Sequence, residues 1–557
     1  MSKNITNLSG RKGIQDNLFD KMGQLAQTTG APSKEELALL ADEFLLGKAN
    51  TYGVTTFYDF LKPDNKGKKA YVCNGTACKN AQTQDKVKSV LGQHYAEEEI
   101  GHITCLGRCH ENGAFQLDGH NYSNLSEMQM EQVITGKQQP KSDNYHVEAL
   151  GSGVLTKGLD GGWEQFAEKW VHFHMLGAEP HKVLTEIKAA QLRGRGGAGF
   201  PIGIKLAGLA AEDSDTKFII CNADEGDPGA YSDRYLLEQQ PFSVLFGMMI
   251  AGLASGAEWG ILYIRAEYPE AVTIIEEAID TLRQKQLIGR NSITPDFKFD
   301  FKVIKAQGAY ICGEETALIN SIEGQRPEVR TRPPYPTQQG LFGKPTAVNN
   351  VETLAALPSL FLDGAAFAKI GTVKSTGTKL ISLDSFFNRP GIYEVDMGTP
   401  LTQVIEHLGQ GFREKIKGLH IGGPLGGIVP MEKIKDLTID FESFKANGFL
   451  LGHASIVCIP ETKSMMEYLE ELMDFAAYES CGKCFPCRLG TQRAYELIQK
   501  ANRSNYLIDR VLFDDLLFTL ETGSLCAHGG GIPLPVRNAM EFYKDELAQY
   551  FLVERTP

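Results

Sequence analysis

The sequence predicts a multidomain protein of the α/β class. Its 557 residues exceed what one hydrophobic core supports, since cores stop growing beyond about 250–300 residues. The hydrophobic pattern also changes along the chain, from helical periodicity to alternating strands and helices, then to short strands, and back to helices. Apolar strands alternate with helical patterns in the longest segment, which is typical of a layered α/β domain. We therefore predict five consecutive units.

The first two units are a helical segment and a small α/β unit. Residues 1–68 have helical patterns, and SKEELALLADEFLL begins with a capping box formed by Ser33 and Glu36. Residues 69–142 contain two strand–loop patterns, KKAYVCNGTACKNA and IGHITCLGRC. They are followed by GAFQLDGHNYSN, in which Asp-Gly predicts a hairpin turn. The polar, glycine-punctuated stretch at 141–153 is predicted to be a connector.

The other three units follow from later changes in the pattern. Residues 143–375 alternate helical patterns with the apolar strands in KFIICNADEG, WGILYIRAEYPEAV and FKVIKAQGAYICGEE, and they are predicted to form a layered α/β domain. Short strands such as TKLISLD and GIYEVD surround one helical stretch in residues 376–455, which predicts a small β-rich unit. Residues 456–557 return to helical periodicity.

The composition limits the cellular locations and the classes of partner that are expected for this protein. The sequence has no run of 18 apolar residues, which predicts no direct membrane span, and its N-terminus MSKNITNLSGRKG lacks the apolar stretch of a signal peptide. We therefore predict a cytoplasmic protein whose 11 cysteines are reduced thiols or metal ligands. The net charge of −13 argues against nucleic acid as a main partner.

Closely spaced cysteines near the C-terminus predict a metal centre. In ESCGKCFPCRLG, three cysteines recur every three residues, Cys481, Cys484 and Cys487, and Cys526 in TGSLCAHGG is the one cysteine that follows them. Zinc sites usually use two pairs of ligands, whereas a C-x2-C-x2-C run is typical of a [4Fe–4S] cluster. The spacing favours the iron–sulfur cluster and leaves structural zinc as the alternative.

A second set of four cysteines lies in the small α/β unit. Cys73 and Cys78 follow one predicted strand, and Cys105 and Cys109 follow another. Two pairs of thiolates on neighbouring strand ends suit a [2Fe–2S] cluster or a zinc ion. Neither pair has the C-x-x-C spacing of a thioredoxin-type redox site. The spacing therefore leaves iron–sulfur and zinc open for this set.

A glycine-rich stretch offers a phosphate-binding loop. QLRGRGGAGFPIGIK contains the glycines Gly194, Gly196, Gly197 and Gly199. A Rossmann fingerprint requires a strand before the glycines, but the preceding HKVLTEIKAAQLR has a helical pattern. Glycines still let backbone N–H groups approach a phosphate, and Arg195 and Lys205 can add positive charge. The alternative is a tight turn with no ligand.

Three further segments place polar side chains at the ends of predicted strands, CNADEGDPGAYSDR, GAYICGEETAL and GKPTAVNNVET. Ligands bind at the carboxyl ends of strands in open α/β sheets. Carboxylates can bind sugar hydroxyls or a metal, and asparagine can both donate to and accept from a flavin or purine edge. Each segment alone resembles an ordinary loop, but four such segments in one domain predict a nucleotide-type cofactor.

Together these motifs resemble a known family. RGRGGAGFP, NADEGDPGA, GAYICGEE, GKPTAVNNVET and ESCGKCFPCRLG with SLCAHGG are similar to the NADH-binding flavoprotein subunit of respiratory complex I. The same family supplies the diaphorase subunits of NAD-linked [NiFe]-hydrogenases and of NAD-dependent molybdenum or tungsten formate dehydrogenases. The similarity covers roughly residues 150–550, and residues 1–140 separately resemble the thioredoxin-like [2Fe–2S] subunit of the same enzymes. The two look fused in this chain.

The resemblance implies a fold and a metal centre for each unit. Behind the helical N-terminus it implies a thioredoxin-like ferredoxin domain at 69–142 and a Rossmann-like FMN domain at 143–375. It implies a ubiquitin-like β-grasp domain at 376–455 and a C-terminal helical bundle at 456–557. The N-terminal cysteine set would hold one [2Fe–2S] cluster and the C-terminal set one [4Fe–4S] cluster.

The resemblance also implies cofactor contacts. The glycine loop, including Arg195, would hold FMN with Lys205 facing its phosphate, and Phe200 and Tyr335 would flank the adenine of NADH. The rest of the flavin pocket would be Asn222, Asp224, Tyr310, Gly313, Asn349, Asn350 and Thr353. Carboxylates near the dinucleotide would be Glu225, Asp227, Glu314 and Glu315. Hydride would pass directly between nicotinamide and FMN, so no residue is assigned as a catalytic acid or base.

The chain departs from the family pattern at two places. Leu206 and Gly208 follow Lys205 where the family usually has aromatic residues, which removes one ring expected to stack on the adenine. Asp227 stands where complex I usually has glutamate. The carboxylates near the sugar are expected to repel a 2′-phosphate, which predicts NAD rather than NADP.

The resemblance predicts an electron relay. NADH gives up two electrons as a hydride and iron–sulfur clusters accept one at a time, so a flavin is needed between them. The predicted route leads from NADH through FMN and the C-terminal cluster to a partner. We expect that partner to be the catalytic subunit of a formate dehydrogenase, with further iron–sulfur domains, and an [NiFe]-hydrogenase or an NADH–quinone oxidoreductase is the alternative. A zinc-stabilised interaction subunit without redox function is the alternative of a different class.

Overall fold

Three β-sheets and a C-terminal group of helices organise the chain. The structure is a computed structural model, and it describes residue 6 and residues 8–137, 145–159, 161–175, 179–294 and 297–552. The predicted unit limits at 1, 142, 143 and 557 lie outside these residues.

Three helices near the N-terminus cover one face of the sheet that carries the glycine-loop unit. They are α1 (Leu18–Thr29), α2 (Lys34–Glu43) and α3 (Lys48–Thr55). The predicted capping box begins α2, with Ser33 N donating to the Glu36 carboxylate over 2.7 Å and Glu36 N donating to Ser33 Oγ over 3.2 Å. Apolar side chains of α1 share a hydrophobic core with strands of that sheet.

The small α/β unit forms a four-stranded sheet whose cysteines lie at one edge. Its strands are β1 (Ala70–Cys73), β2 (Ile100–Ile103), β3 (Phe115–Leu117) and β4 (His120–Tyr122). Its helices are α4 (Thr76–Asn80), α5 (Gln84–Leu91) and α6 (Glu127–Ile134). The order is β2-β1-β3-β4, with β1 parallel to β2 and the predicted Asp-Gly hairpin joining β3 to β4. Because β1 and β2 are parallel, the loops that follow them meet at the same edge.

The segment predicted to be a connector supplies a strand instead. Residues 141–144 lie outside the described part, but β5 (His146–Leu150) pairs in parallel with a strand of the later β-rich unit. Its residues are half-buried or exposed, so the sequence lacks the apolar run that would have indicated a strand. The strand forms by pairing with residues more than 200 positions away, which the local sequence does not indicate.

The glycine-loop unit is a parallel sheet with helices on its faces. Its strands are β6 (Phe218–Ala223), β7 (Trp259–Ile264), β8 (Asp300–Lys305) and β9 (Thr346–Asn350). Its longer helices are α7 (Gly162–Met175), α8 (Pro180–Ala189), α9 (Ile202–Ala211), α10 (Ser232–Gln239), α11 (Pro241–Ser255), α12 (Pro269–Gln284) and α13 (Glu315–Ile322). Its short helices are α14 (Pro336–Gln339), α15 (Val351–Ala355) and α16 (Gly364–Phe367). The strand order is β8-β7-β6-β9 with all neighbours parallel.

The β-rich unit is a six-stranded mixed sheet. Its own strands are β10 (Thr378–Leu383), β11 (Gly391–Asp396), β12 (Ile416–Ile421), β13 (Gly427–Pro430) and β14 (Ser455–Pro460). Two short helices, α17 (Leu401–Gln403) and α18 (Phe441–Ala446), accompany them. The order is β13-β12-β14-β10-β11-β5. This unit packs against the glycine loop, as its side-chain bonds below show.

The C-terminal unit is helical, as its periodicity predicts. It comprises α19 (Met465–Tyr478), α20 (Phe485–Arg503), α21 (Arg510–Gly523), α22 (Ala527–Gly531), α23 (Pro533–Phe542) and α24 (Lys544–Leu547). Their apolar faces form one buried cluster. Among the described residues, no helix combines the length and the apolar character that crossing a membrane requires.

Candidate functional site

The centre of the candidate site is the point where the strand order of the parallel sheet reverses. Strands β6, β7 and β8 run to one side and β9 lies on the other, so the reversal falls between β6 and β9. In open α/β sheets, ligands bind outside the carboxyl ends of the strands at such a point. Asn222 of β6 is the register partner of Asn350 of β9 there. Two segments predicted to bind a nucleotide therefore meet where the fold favours binding.

The glycine loop lies against the end of β9. Helix α8 precedes the loop and α9 follows it, which confirms that the loop does not have the strand-first order of a Rossmann fingerprint. A Cβ at Gly196 would lie 2.9 Å from the Cβ of Asn350, so only glycine allows this approach. The backbone N–H of Arg195 donates to Thr353 Oγ1 over 2.8 Å. These contacts place the glycine loop beside Asn350 and Thr353.

The two basic side chains of the loop have different surroundings. Lys205 Nζ donates to the carbonyl of Val348 over 2.8 Å and lies 3.4 Å from the carboxylate of Glu315. The guanidinium of Arg195 is buried and donates to the carbonyls of Thr376 and Thr378 in the β-rich unit. Burial lowers the pKa of Arg195 to about 10. Carbonyl groups thus accept from the guanidinium of Arg195, and its predicted role at a phosphate stays a prediction.

Two buried polar atoms without partners lie at the carboxyl ends of β6 and β9. Asp224 Oδ2 and Asn349 Nδ2 are buried and have no hydrogen-bond partner among the described residues. Burial also raises the pKa of Asp224 well above its usual range. Asn222 Nδ2 donates to the carbonyl of Gly313 over 2.8 Å, which brings the GAYICGEE loop to the same place. The unpaired amide donor of Asn349, next to the Asn350 that contacts the glycine loop, fits the polar edge of a bound FMN.

Two carboxylates of the acidic loop after β6, Glu225 and Asp227, have different surroundings. Glu225 is buried and accepts from the N–H groups of Asp233 and Arg234 over 2.9 and 3.1 Å, so it caps the N-terminus of α10. Burial raises the pKa of Glu225. Asp227 is partly exposed, and its Oδ2 lies 2.6 Å from His453 Nε2 in the β-rich unit. Of the two, Asp227 is therefore the carboxylate better placed to reach a dinucleotide.

The GAYICGEE loop carries a second pair of acids that are bound to basic side chains. Glu314 caps α13, with its carboxylate accepting from the N–H groups of Thr316 and Ala317 over 2.9 Å each. Arg332 pairs with Glu314 and lies 3.1 Å from Glu315. Part of the negative charge expected to repel a 2′-phosphate is thus neutralised within the loop.

Phe200 and Tyr335, which are predicted to stack on the adenine, have exposed rings. Phe200 lies two residues before α9 and is 50% exposed, and Tyr335 directly precedes α14 and is 54% exposed. Large apolar rings left in solvent gain by stacking on a base. Tyr310, by contrast, is turned inward, and its ring lies 5.0 Å from that of Phe475 in the helical unit. Burial, followed by the charge of Asp227, raises the pKa of the Tyr310 phenol.

The N-terminal cysteines form a fully buried group. The sulfurs of Cys105 and Cys109 lie 3.7 Å apart, and Cys73 contacts both Cys78 and Cys105. Two thiolates on one tetrahedral metal, at about 2.3 Å each, are about 3.8 Å apart. The loops after β1 and β2 thus bring together the two pairs that the spacing indicated, as a [2Fe–2S] cluster requires.

Backbone N–H groups point at three of these sulfurs. Gly75 donates to Cys73 and Gly107 donates to Cys105, each over 3.4 Å. Gly229, in the acidic loop of the glycine-loop unit, donates to Cys109 Sγ over 3.3 Å. Such N–H···S bonds stabilise thiolate ligands and tune the potential of a cluster. The flavin region therefore touches the N-terminal cysteine set directly.

The C-terminal cysteines also converge, nearer to the surface. Burial raises the pKa of Cys487 to about 12, and the nearby thiols of Cys484, Cys526 and Cys481 add to the rise. Cys481 packs with Ile311 of the GAYICGEE loop. Cys526, which directly precedes α22, lies close enough to Cys487 to influence its pKa, and its role as the fourth ligand stays a prediction. Within the described part of the chain, no three His, Cys, Asp or Glu side chains are arranged to hold a single metal ion.

Glu479 connects the cysteine sets and was missed by sequence reasoning. One carboxylate oxygen accepts from Thr104 Oγ1 over 3.1 Å, next to Cys105, and the other accepts from the N–H of Tyr310 over 2.9 Å. Glu479 itself stands two residues before Cys481. Burial, followed by the charge of Asp59, raises its pKa to about 7. In the sequence it resembles a solvated helix end, so no local signal indicated this position.

Arg265 is the second connection that the sequence did not reveal. It lies directly after β7 and is buried. Its guanidinium donates to the carbonyls of Cys105 and Glu225, with 2.7 Å to the former, and pairs with Glu267 at 2.9 Å. One cation thus joins a ligand loop of the N-terminal set to the acidic loop of the flavin region.

Three protein families match successive parts of the chain. Residues 7–138 match the thioredoxin-like [2Fe-2S] ferredoxin family. Residues 187–359 match the Nuo51 FMN-binding domain, and residues 467–550 match the NADH-ubiquinone oxidoreductase-F iron-sulfur binding region. The iron–sulfur families cover both cysteine sets and decide in favour of iron over zinc, which the spacing had left open.

Relatives extend the match over the whole chain. The alpha subunit of the NAD-reducing hydrogenase HoxS from Cupriavidus necator is 30% identical, with 99% of this chain and 95% of that protein covered. The NADP-reducing hydrogenase subunit HndC from Solidesulfovibrio fructosivorans is 40% identical over 67% of this chain and 76% of that protein. The mitochondrial NADH dehydrogenase [ubiquinone] flavoprotein 1 from Dictyostelium discoideum is 35% identical over 66% of this chain and 78% of that protein.

A solved structure shares the architecture. A chain of an NAD+-reducing [NiFe]-hydrogenase in the air-oxidised state matches with a TM-score of 0.84 and 27% identity, over 98% of this chain and 96% of that chain. The match includes the α/β units and the C-terminal helices described above. The chain is therefore an NADH dehydrogenase-type flavoprotein oxidoreductase that carries FMN, a [2Fe–2S] and a [4Fe–4S] cluster, and it belongs to the family of complex I NADH-binding subunits and hydrogenase diaphorase subunits.

Proposed function

We propose that the chain is the diaphorase subunit of an NAD-linked [NiFe]-hydrogenase. The observation that carries the proposal is the end-to-end similarity to a hydrogenase subunit, with 99% of this chain and 95% of the relative aligned. The mitochondrial NADH dehydrogenase relative named above aligns with 66% of this chain. The fused N-terminal unit is thus a feature shared with the hydrogenase subunit.

This proposal replaces the expectation of a formate dehydrogenase. None of the relatives and structures named above is part of a formate dehydrogenase. The sequence preference for that enzyme depends on the similarity of short segments, whereas the hydrogenase match covers all five predicted units. We keep the proposed unit limits at 1–68, 69–142, 143–375, 376–455 and 456–557, and we propose a cytoplasmic location.

We propose that the chain's residues bind and orient the reactants. FMN, when bound, exchanges electron pairs with NADH and single electrons with iron–sulfur clusters. The glycine loop offers backbone N–H groups and Lys205 to the phosphate, and Asn349 offers its free amide to the ring edge. Phe200 and Tyr335 are exposed to stack on the adenine. The ring of Tyr310 packs against Phe475 and Glu225 is buried, so both side chains would restrict access of water on this side of the site.

The C-terminal cysteine set is the proposed point of contact with the catalytic partner. Cys484 and Cys526 are partly exposed, whereas the N-terminal cysteines are all buried. Apolar side chains surround the C-terminal ligands in solvent, with Phe485 74% exposed, Leu489 59% and Leu525 48%. An exposed apolar patch beside a redox ligand set favours docking of another protein.

Metal analysis of the complex purified from its native host tests the partner. The proposal predicts nickel and iron in the complex and reduction of NAD+ by H2. Molybdenum or tungsten without nickel, together with NAD+ reduction by formate, would instead show a formate dehydrogenase. The purified chain should oxidise NADH with ferricyanide in either case, so this activity tests the diaphorase assignment separately from the partner.

The preference for NAD is tested by comparing the two cofactors. We expect a higher kcat/KM with NADH than with NADPH, because the partly exposed carboxylate of Asp227 is placed to reach the dinucleotide and would disfavour a 2′-phosphate. Equal kcat/KM values would overturn this preference. The salt bridges of Arg332 with Glu314 and Glu315 would then explain why the GAYICGEE loop does not repel a 2′-phosphate.

A further inference from the structure

The β-rich unit closes one side of the candidate dinucleotide site with two glycine-containing loops. A Cβ at Gly423 would lie 2.7 Å from the carboxyl group of Asp227, and a Cβ at Gly197 would lie 3.8 Å from Gly452 Cα. Gly423 and Gly452 have φ values of +84° and +56°, which glycine adopts without strain. The loops before β13 and before β14 thus lie directly on the acidic loop and the glycine loop.

His453 projects from the second of these loops onto Asp227. Its Nε2 lies 2.6 Å from Asp227 Oδ2, and the two side chains are 12% and 19% exposed. Burial alone would lower the pKa of His453, but the charge of Asp227 and a hydrogen bond to it, with Glu225 adding to them, raise it to about 9. The pair is therefore ionised at neutral pH and lies at the border between buried and solvent-exposed regions.

We infer that His453 is a positioning residue of the NAD(H) site: its cation fixes the carboxylate of Asp227 and offsets the negative charge that the acidic loop would otherwise present to the dinucleotide. The inference rests on the proposed diaphorase function. NAD(H) carries a pyrophosphate, and an uncompensated carboxylate beside it would weaken binding. A flexible carboxylate would also lose its orientation toward the ligand.

The charged groups around His453 come from several elements. The acidic loop contributes Asp227 and Glu225, α10 contributes Asp233, and β10 contributes Lys379. Lys379 is itself paired with Glu352, both buried. Negative groups thus outnumber the positive ones that face the imidazole, which explains why the histidine remains protonated.

No signal in the sequence predicts this contribution. The sequence predicts the β-rich unit as a separate unit with no candidate site residue, and every candidate residue for the dinucleotide lies between positions 200 and 335. Asp227 stands out in the sequence only as a departure from the glutamate usual in complex I. In the structure its carboxylate pairs with His453 at 2.6 Å, so we treat the two residues as one unit.

Three substitutions test the inference in the full chain with its cofactors. His453→Gln removes the charge, His453→Lys retains it, and His94→Gln is the matched control, because His94 forms a comparable pair with Glu131 at 2.7 Å in the N-terminal unit. We expect His453→Gln to raise the Kd of NAD+, measured by calorimetry, and the KM for NADH about tenfold with kcat nearly unchanged. His453→Lys should recover most of the affinity, and His94→Gln should match the wild type.

The pH dependence of the unmodified protein gives a second test that needs no variant. We expect the Kd of NAD+ to be constant below pH 8 and to rise as the pH passes through about 9, where His453 loses its proton. His453→Gln should show no such rise in this range. A flat wild-type profile, or a Lys variant as weak as the Gln variant, would overturn the inference.

The result also separates this inference from the proposed function. If the wild-type protein does not oxidise NADH with ferricyanide, the diaphorase proposal fails. If it does, and the affinities of His453→Gln and wild type agree within twofold, only the role of His453 fails. In an Asp227→Asn background, His453→Gln should have no further effect on NAD+ binding, since the partner of the cation is gone.

Discussion

The two cysteine sets differ in their exposure to solvent. All four N-terminal cysteines are at most 2% exposed, and a backbone N–H from the flavin region bonds Cys109. In the C-terminal set Cys484 and Cys526 are partly exposed, and the adjoining Phe485 is 74% exposed. Both sets touch the loops of the candidate flavin site, but only the second presents a face to other proteins.

The difference indicates separate roles for the two clusters. A buried ligand set has no direct contact with another protein, and burial with N–H···S bonds tunes its potential. A set near an exposed apolar patch can deliver electrons to a partner. We therefore regard the C-terminal set as the contact with the partner and the N-terminal set as an internal centre.

The largest expected effect follows loss of a C-terminal ligand. Cys526→Ala should remove the four-iron cluster, because three thiolates leave one iron corner unliganded. Electron paramagnetic resonance of the reduced protein should lose one signal and keep the two-iron signal, and iron analysis should show about four fewer irons per chain. Cys458→Ala removes a buried thiol of the β-rich unit and is the control. Retention of both signals in Cys526→Ala would show that the fourth ligand lies elsewhere.

A smaller effect is expected at the apolar patch beside the C-terminal set. Combined Phe485→Ser and Leu489→Ser substitutions should slow electron delivery to the catalytic partner about tenfold, since they remove apolar area that a partner would cover. NADH oxidation with ferricyanide should not change, because that small acceptor needs no docking surface. Leu512→Ser is the control, as Leu512 is 65% exposed on α21. Equal losses in the control and the double variant would contradict a specific patch.

The smallest effect is expected for Glu479, the residue that connects the two cysteine sets. Glu479→Gln keeps the size of the side chain but cannot accept from both Thr104 and the N–H of Tyr310, because its amide nitrogen only donates. We expect altered resonance line shapes of both clusters and an activity with ferricyanide within twofold of wild type. The exposed Asp474 lies on α19, which ends directly before Glu479, and Asp474→Asn should change neither signal. A change confined to one cluster would show that Glu479 does not connect them.

Local signals in the sequence predicted much of this arrangement. The capping box at Ser33, the hairpin at Asp118–Gly119 and the helix before the glycine loop all depend on neighbouring residues, and each is present. The cysteine spacing indicated the two ligand sets, whose individual members stay a prediction, and the matching families confirmed FMN and both clusters. These features could be predicted because each depends on residues close together in the sequence, within one helix, strand or turn.

Contacts between units could not be predicted in the same way. Glu479 and Thr104 are 375 positions apart, and Arg265 binds a carbonyl 160 positions before it. The strand β5 and the pair of His453 with Asp227 likewise depend on how whole units pack. In the sequence these residues look like an ordinary helix end, a strand end and loop positions. Their roles arise only where several units meet around the flavin site.

The most direct measurement compares electron delivery after removal of each cluster. Under anaerobic conditions, NADH-driven reduction of cytochrome c, a protein acceptor too large to enter the flavin site, is measured for Cys526→Ala and Cys78→Ala. The account predicts that Cys526→Ala loses at least about tenfold in rate while its ferricyanide activity persists, and that Cys78→Ala retains most of both. A rapid rate in Cys526→Ala with a loss in Cys78→Ala would contradict the assignment of the C-terminal set as the contact with the partner.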